Sequence, residues 1–149
     1  MDETKVSDIQ EGTRRQALYL WIGLSLSLTL FFVQSQMFYV SANPLPSSKL
    51  EWVFTILGLF TFLLGHFFFK NYMALRKPQL VKASEKDKKQ TILIAFVMQF
   101  VLLETLGLYG VVLSVLRQNT LKAVPFILFA YIGFAFAFPK REKIKPYFE

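Results

Sequence analysis

The sequence lacks cysteine altogether and contains a single histidine, His66, among its 149 residues. Without cysteine the chain can form no disulfide, no thiolate nucleophile and no cysteine-ligated metal site. The long apolar segments contain no pair of carboxylates, and no glycine-rich phosphate loop is present. These absences predict a protein that is not an enzyme and that binds no metal and no cofactor.

Charged residues are almost absent from four long apolar segments. Hydrophobic residues make up 54% of the chain, which is more than a soluble domain of this length can bury in one core. An α-helix rises ~1.5 Å per residue, so about 20 apolar residues cross the hydrocarbon core of a bilayer. The segments show no apolar–polar alternation, which excludes a β-barrel. The sequence therefore predicts transmembrane helices over residues 17–40, 52–70, 91–116 and 123–139.

Lysine and arginine are concentrated on alternate connections between these segments. The N-terminal arm (1–16) carries three, the central loop (71–90, with Lys70 at its edge) carries seven, and the tail (140–149) carries four. The two other connections hold only Lys49, Arg117 and Lys122. The positive-inside rule then places the arm, the central loop and the tail in the cytoplasm. We predict an all-α, multi-pass protein of the cell inner (cytoplasmic) membrane, an antiparallel bundle of four helices with both termini cytoplasmic.

The net charge of +7 is interpreted as a topology signal, and no nucleic-acid partner is expected. The lipid bilayer is the first expected partner. A lipid-binding role for the basic segment 82–89 and the basic tail (140–149) is a further hypothesis, because lysines near a membrane attract anionic lipid at about 1 kcal/mol each.

Turn and cap residues mark the ends of the predicted helices. Residues 43–48 include two prolines and predict a tight outer turn. The third helix is expected to be capped by Ser84, Glu85 and Asp87. Pro125 lies in the first turn of the fourth helix, where its missing N–H costs little.

Small residues recur on one stripe of the second helix and on one stripe of the third. In lipid, such stripes allow two helices to approach closely. The predicted packing positions are Gly58, Gly65, Gly107, Gly110 and Ser114. The stripes are compatible with a self-contained bundle and also with the docking of a partner subunit.

Glu104 is the one acidic residue deep inside an apolar segment. Thirteen residues of segment 91–116 precede it and twelve follow, so it lies ~20 Å and ~18 Å from the two ends. A carboxylate at this depth costs at least a few kcal/mol unless it is protonated, paired or hydrated. No lysine or arginine of this chain shares that depth. We expect Glu104 to be protonated, to donate a hydrogen bond, or to meet a cation from another subunit.

Three hydroxyl residues fall within about one helical turn of Glu104 in depth. These candidate hydrogen-bond partners are Thr29, Thr61 and Tyr131. His66 is about two and a half turns away in depth, so a direct pair with Glu104 is not expected. Its default interpretation is an interfacial histidine, and the alternative is a proton entry station.

Residues 103–113 read Leu-Glu-Thr-Leu-Gly-Leu-Tyr-Gly-Val-Val-Leu. This segment resembles the carboxylate-bearing helix of rotary ATPase proteolipids, the V-type and F-type c subunits. In that family a mid-membrane Glu carries a proton or a sodium ion, and small residues in the same helix allow ring packing. The resemblance implies that Glu104 is an ion carrier and that Gly107 and Gly110 are packing positions.

Two functions follow as hypotheses. The first is a small, non-enzymatic accessory subunit of a larger membrane complex, with other integral membrane subunits as partners and Glu104 as the key polar residue. The alternative is a proteolipid-like protein that translocates protons or sodium, alone or as a homo-oligomer, through Glu104.

Overall fold

The computed structural model describes residues 3–37 and 48–148. Within these ranges the chain is almost entirely helical and contains no strand. Its helices are α1 (Glu3–Met37), α2 (Ser48–Leu80), α3 (Glu85–Arg117), α4 (Val124–Ala137) and α5 (Arg141–Ile144), with 3-10 turns at Thr120–Lys122 and Lys145–Tyr147. Four of the helices are long and apolar enough to cross a membrane. The prediction of an all-α chain with four such helices is confirmed.

The helices extend well beyond the predicted membrane segments. α1 begins at Glu3, so the polar arm is helical, and α2 and α3 together reduce the predicted central loop to a turn over residues 81–84. These extensions carry charge pairs at helical spacing, such as Arg14 with Glu11 at 2.8 Å and Lys88 with Glu85 at 3.1 Å. Hydropathy detects only the part of a helix that lies in lipid, which is why it missed them.

The ends of α3 and α4 have identifiable stop and start signals. Ser84 is the N-cap of α3 and accepts a hydrogen bond from the backbone N–H of Asp87, which confirms the predicted cap. Gln118 ends α3 in the left-handed conformation. Pro125 occupies the first turn of α4, as predicted. The prolines of the predicted outer turn lie outside the described residues.

α3 is the central helix of the molecule and packs against α1, α2 and α4. Its buried side chains recur every three or four residues and form an aromatic core with α4. The rings of Phe96 and Phe100 lie 5.6 Å apart, and those of Phe100 and Phe134 lie 6.1 Å apart. By contrast, α1 and α2 lie against different sides of α3 and make few contacts with each other. The helix that carries Glu104 is therefore the one most enclosed by its neighbours.

One side of α3 is left uncovered, because three helices pack on its other sides. Ile94, Met98, Val101 and Val112 are exposed on this side, and Thr105 and Leu108 are partly exposed. Their alternating spacing of four and three residues places them along one helical stripe. We call this stripe the open face of α3.

The C-terminal segment folds back onto the ends of the long helices. Ile144 and Phe148 are buried, and α5 contacts α1. The ammonium group of Lys143 donates a 2.6 Å hydrogen bond to the carbonyl of Phe136 near the end of α4. Burial, together with the nearby charge of Lys140, lowers the pKa of Lys143. The predicted tail is thus a folded cap on the bundle end.

Candidate functional site

Glu104 lies on α3 at the contact with α1 and is partly buried. The hydroxyl of Ser27, on α1, donates a hydrogen bond to its Oε1 atom. The other carboxyl oxygen, Oε2, has no hydrogen bond or ion pair among the described residues, and it is not fully buried. One oxygen of the carboxyl group is therefore satisfied inside the protein, and the other has no partner within the described residues.

Gly107 allows the close approach of α1 and α3 that brings Ser27 to Glu104. The buried side chain of Leu28 fills the space where a Cβ atom on Gly107 would stand. Ser27 precedes Leu28, so its side chain points to one edge of the same contact, beside Glu104. Gly107, which permits the close packing, and Glu104, which needs a hydrogen-bond donor, therefore lie at the same contact between α1 and α3.

The three hydroxyls predicted as partners of Glu104 do not bond to it. Thr29 and Tyr131 share a hydrogen bond with each other instead, and Thr61 is buried on α2 without a hydrogen bond to Glu104. The prediction relied on depth alone, whereas direction around the helix decides the contact. Thr29 is two residues from Ser27 and so lies about 200° away around α1.

Polar side chains join α1 to α4 on the side away from Glu104. The indole N–H of Trp21 donates to the carbonyl of Phe134 at 2.8 Å, and the hydroxyl of Tyr131 donates to the carbonyl of Ser25 at 3.3 Å. These bonds satisfy polar groups in an apolar part of the bundle, where an unpaired polar group would be costly. Sequence reasoning missed this contact between Trp21 and α4.

Gln99 is a second polar residue within the apolar segment of α3, and sequence reasoning missed it. Its side chain is 4% exposed, and its Nε2 atom donates to the carbonyl of Gly65 on α2 at 2.9 Å. Its Oε1 atom is buried without a partner among the described residues. Gln99 precedes Glu104 by five residues, so the two side chains lie about 140° apart around α3 and do not form one site.

The small residues singled out from the sequence lie at helix contacts. Gly58 faces Phe126 of α4 with 2.8 Å from its would-be Cβ to Cε1, and Gly65 faces Leu103 at 3.1 Å. A Cβ on Gly110 would lie 2.7 Å from Cβ of Phe126. The fully buried Ser114 donates to a carbonyl of its own helix. Sequence reasoning missed Gly133, which accommodates Leu103 of α3.

An ionic cluster joins the ends of α2, α3 and the turn before α4. Glu51 accepts a hydrogen bond from Nε of Arg117 at 2.7 Å and from Lys122 at 3.0 Å. Nearby, Thr120 donates to Gln36 of α1 at 2.6 Å. Together these contacts connect α1, α2, α3 and the 3-10 turn before α4 at this end of the molecule.

His66 is exposed on α2 and surrounded by aromatic rings. Its ring centroid lies 4.8 Å from that of Phe67 and 5.6 Å from that of Phe136. It faces the α4 side of the molecule and has no hydrogen bond to Glu104 in the described chain. The two titratable groups are therefore not brought together.

The arrangement around Glu104 can hold a proton or accept one hydrogen-bond donor from outside. No group of three or more metal-ligating side chains converges within the described ranges. Comparisons with protein-family models, with curated proteins and with solved structures find no match to this chain.

Proposed function

We propose that this chain is a small, non-enzymatic accessory subunit of a larger membrane complex and that Glu104 is its principal contact within the membrane. In this proposal the four long helices form an antiparallel bundle in the cytoplasmic membrane. The N-terminus, the turn after α2 and the C-terminal segment face the cytoplasm, in keeping with the distribution of lysine and arginine.

The observation that carries the proposal is the half-satisfied carboxyl group of Glu104. Ser27 occupies one oxygen, and the other has no partner in the described part of the chain. Leaving a carboxylate in this state within lipid is costly, and polar residues at such depth usually mark a functional contact. A basic side chain on a partner helix would complete the site.

The open face of α3 supports the same conclusion. Glu104 follows Val101 by three residues and precedes Leu108 by four, so it lies beside this face. A partner helix packed along the open face would therefore place a side chain against the free oxygen. The same partner helix would also bury the exposed apolar residues that precede and follow Glu104 along α3.

The test is purification of the tagged, full-length chain from native membranes in mild detergent, with identification of the proteins that accompany it. Glu104→Gln removes the charge with little change of shape. We expect it to reduce the amount of co-purifying partner at least about tenfold, because losing one member of a desolvated charge pair costs 2 kcal/mol or more.

Glu142→Gln is the matched control, because Glu142 is exposed on the short helix α5 and lies outside the apolar segments. It should retain the partner in full. A wild-type chain that purifies alone contradicts the proposal. A partner that Glu104→Gln retains contradicts the role given to Glu104, and recovery of a second tagged copy identifies a homo-oligomer.

A second candidate function is ion translocation with Glu104 as a proton or sodium carrier. The hydroxyl of Ser27 on one carboxyl oxygen favours it, because a donor there holds the site in place while the second oxygen stays accessible. Carbodiimide should then label Glu104, and sodium ions or high pH should slow the reaction. Labelling that is insensitive to both contradicts this function and leaves the accessory role standing.

A further inference from the structure

A cleft of about 410 Å³ lies on the surface of α3 near its N-terminus. Two lysines, Lys86 and Lys89, line the end of the cleft that is nearest the N-terminus of α3. Below them the lining is apolar. It consists of Leu93, Ile94, Val97 and Met98, and the polar Gln90 lies between these residues and the lysines.

The two lysines at this cleft are available for an anionic ligand. Neither ammonium group has an ion pair or a hydrogen bond within the described ranges, whereas their neighbour Lys88 is paired with Glu85 at 3.1 Å. Lys86 is exposed and Lys89 is half-buried. The stems of both side chains can lie along the apolar wall while the charges stay at the surface.

Along the axis of α3, the cleft presents charged residues first and apolar residues after them, which is the order of the headgroup and the acyl chains in a phospholipid. Lys86 and Lys89 precede the apolar segment that starts at residue 91, so they lie at the level of the headgroups. Met98 follows Lys89 by nine residues, which places it ~13 Å deeper along the helix. A headgroup and the upper part of an acyl chain therefore meet charge and apolar surface at the corresponding depths.

We propose that this cleft is a binding site for one phospholipid with an anionic headgroup, its phosphate between Lys86 and Lys89 and an acyl chain along Leu93 and Val97. The site does not include Glu104. Its lining shares Ile94 and Met98 with the open face of α3, which leaves residues 101–112 of that face for the proposed partner helix. The site rests on the proposed orientation only for the assignment to the cytoplasmic leaflet, whose surface is negatively charged.

A neighbouring cleft of about 350 Å³ between α2 and α3 is less suited to an anion. Its cation, Arg76, stacks over the ring of Tyr72 at 5.7 Å and donates to Gln79 at 2.6 Å. The carboxylate of Asp87 also lines it and would repel a phosphate. The distribution of charge thus selects the cleft of Lys86 and Lys89.

The test is native mass spectrometry of the full-length protein in detergent, titrated with phosphatidylglycerol or with phosphatidylcholine of the same acyl chains. We expect one molecule of phosphatidylglycerol to bind at least about tenfold more tightly than phosphatidylcholine. The double variant Lys86→Gln/Lys89→Gln should lose about tenfold or more of that affinity, at roughly 1 kcal/mol for each lysine.

Lys70→Gln/Lys82→Gln is the matched control, since it removes the same charge from exposed lysines outside the cleft. It should bind phosphatidylglycerol as the wild type does. Val97→Trp fills the apolar part while leaving both lysines, and it should weaken binding as well. Equal losses in the two double variants, or equal affinity for the two lipids, would overturn the site. Neither result bears on the proposed accessory function, whose readout is the co-purifying partner.

Discussion

At the scale of single residues, the hydroxyl of Ser27 decides how the carboxyl group of Glu104 is tolerated. Ser27→Ala leaves Oε1 without its donor, so we expect the free energy of unfolding to fall by about 1 kcal/mol. Glu104→Gln should cost less, because Ser27 can still donate to the amide oxygen and no charge remains in lipid. Thermal unfolding in detergent, followed by circular dichroism, measures both changes.

Ser25→Ala is the control for this prediction, because the hydroxyl of Ser25 donates only to the carbonyl of Trp21 on its own helix, at 2.7 Å. It should leave the unfolding temperature nearly unchanged. If Ser25→Ala and Ser27→Ala have the same effect, the bond to Glu104 contributes nothing to stability.

Gly107 offers a second test at the residue scale. A methyl group there would overlap Leu28, which is fully buried, so Gly107→Ala should destabilise the protein by about 1–3 kcal/mol through overpacking. Combining it with Leu28→Ala should restore part of the loss by opening the space. Gly23→Ala, where nothing lies within 4 Å of the new atom, should not destabilise the protein, because Ala is the better helix former; a comparable loss there would show that overpacking is not the cause.

The residue scale is also where sequence reasoning had its clearest limit. The position of Glu104 along α3 followed from counting residues, because a helix rises uniformly along its axis. The identity of its partner did not follow, because the rotation of α1 relative to α3 depends on how Leu28 packs against Gly107. Ser27 and Thr29 are nearly equal in depth, and only the packed structure distinguishes them.

At the scale of elements, the sequence located the apolar part of each helix and underestimated its full length. α2 continues to Leu80 and α3 starts at Glu85, because many of the residues between the apolar segments, such as Arg76, Lys77 and Lys88, are good helix formers. A basic segment read as a loop is therefore mostly helix. The helical backbone fixes the face of α3 on which each lysine lies. This is why Lys86 and Lys89 lie together at the cleft.

The packing of the C-terminal segment gives a prediction at the same scale. Ile144 is 1% exposed in α5, so Ile144→Ala should cost about 2 kcal/mol or more and release the segment from the bundle. Limited trypsin digestion should then cut at Arg141 or Lys143 faster than in the wild type. Leu75→Ala, at a side chain that is 79% exposed, is the control and should leave the cleavage rate unchanged; equal rates in all three proteins contradict the docking.

At the scale of the whole molecule, the arrangement around α3 explains why one face is open. α1, α2 and α4 each pack against α3, while α1 and α2 make few contacts with each other. The sequence indicated four helices but not which one is central, since all four segments are similarly apolar and carry small residues. Glu104 lies beside this open face because it belongs to α3, whose other sides are covered by α1, α2 and α4.

The orientation of the whole molecule can be tested directly, because the chain has no cysteine of its own. Single cysteines at Ser7, Lys49, Lys82 and Lys145, all outside the apolar segments, can be labelled in intact cells with a membrane-impermeant maleimide. The positive-inside rule predicts labelling only at position 49, and permeabilised cells should label all four positions as the control for reactivity. Labelling at positions 7, 82 and 145 with protection of position 49 would show the opposite topology. Any mixture of the two patterns would contradict four spans.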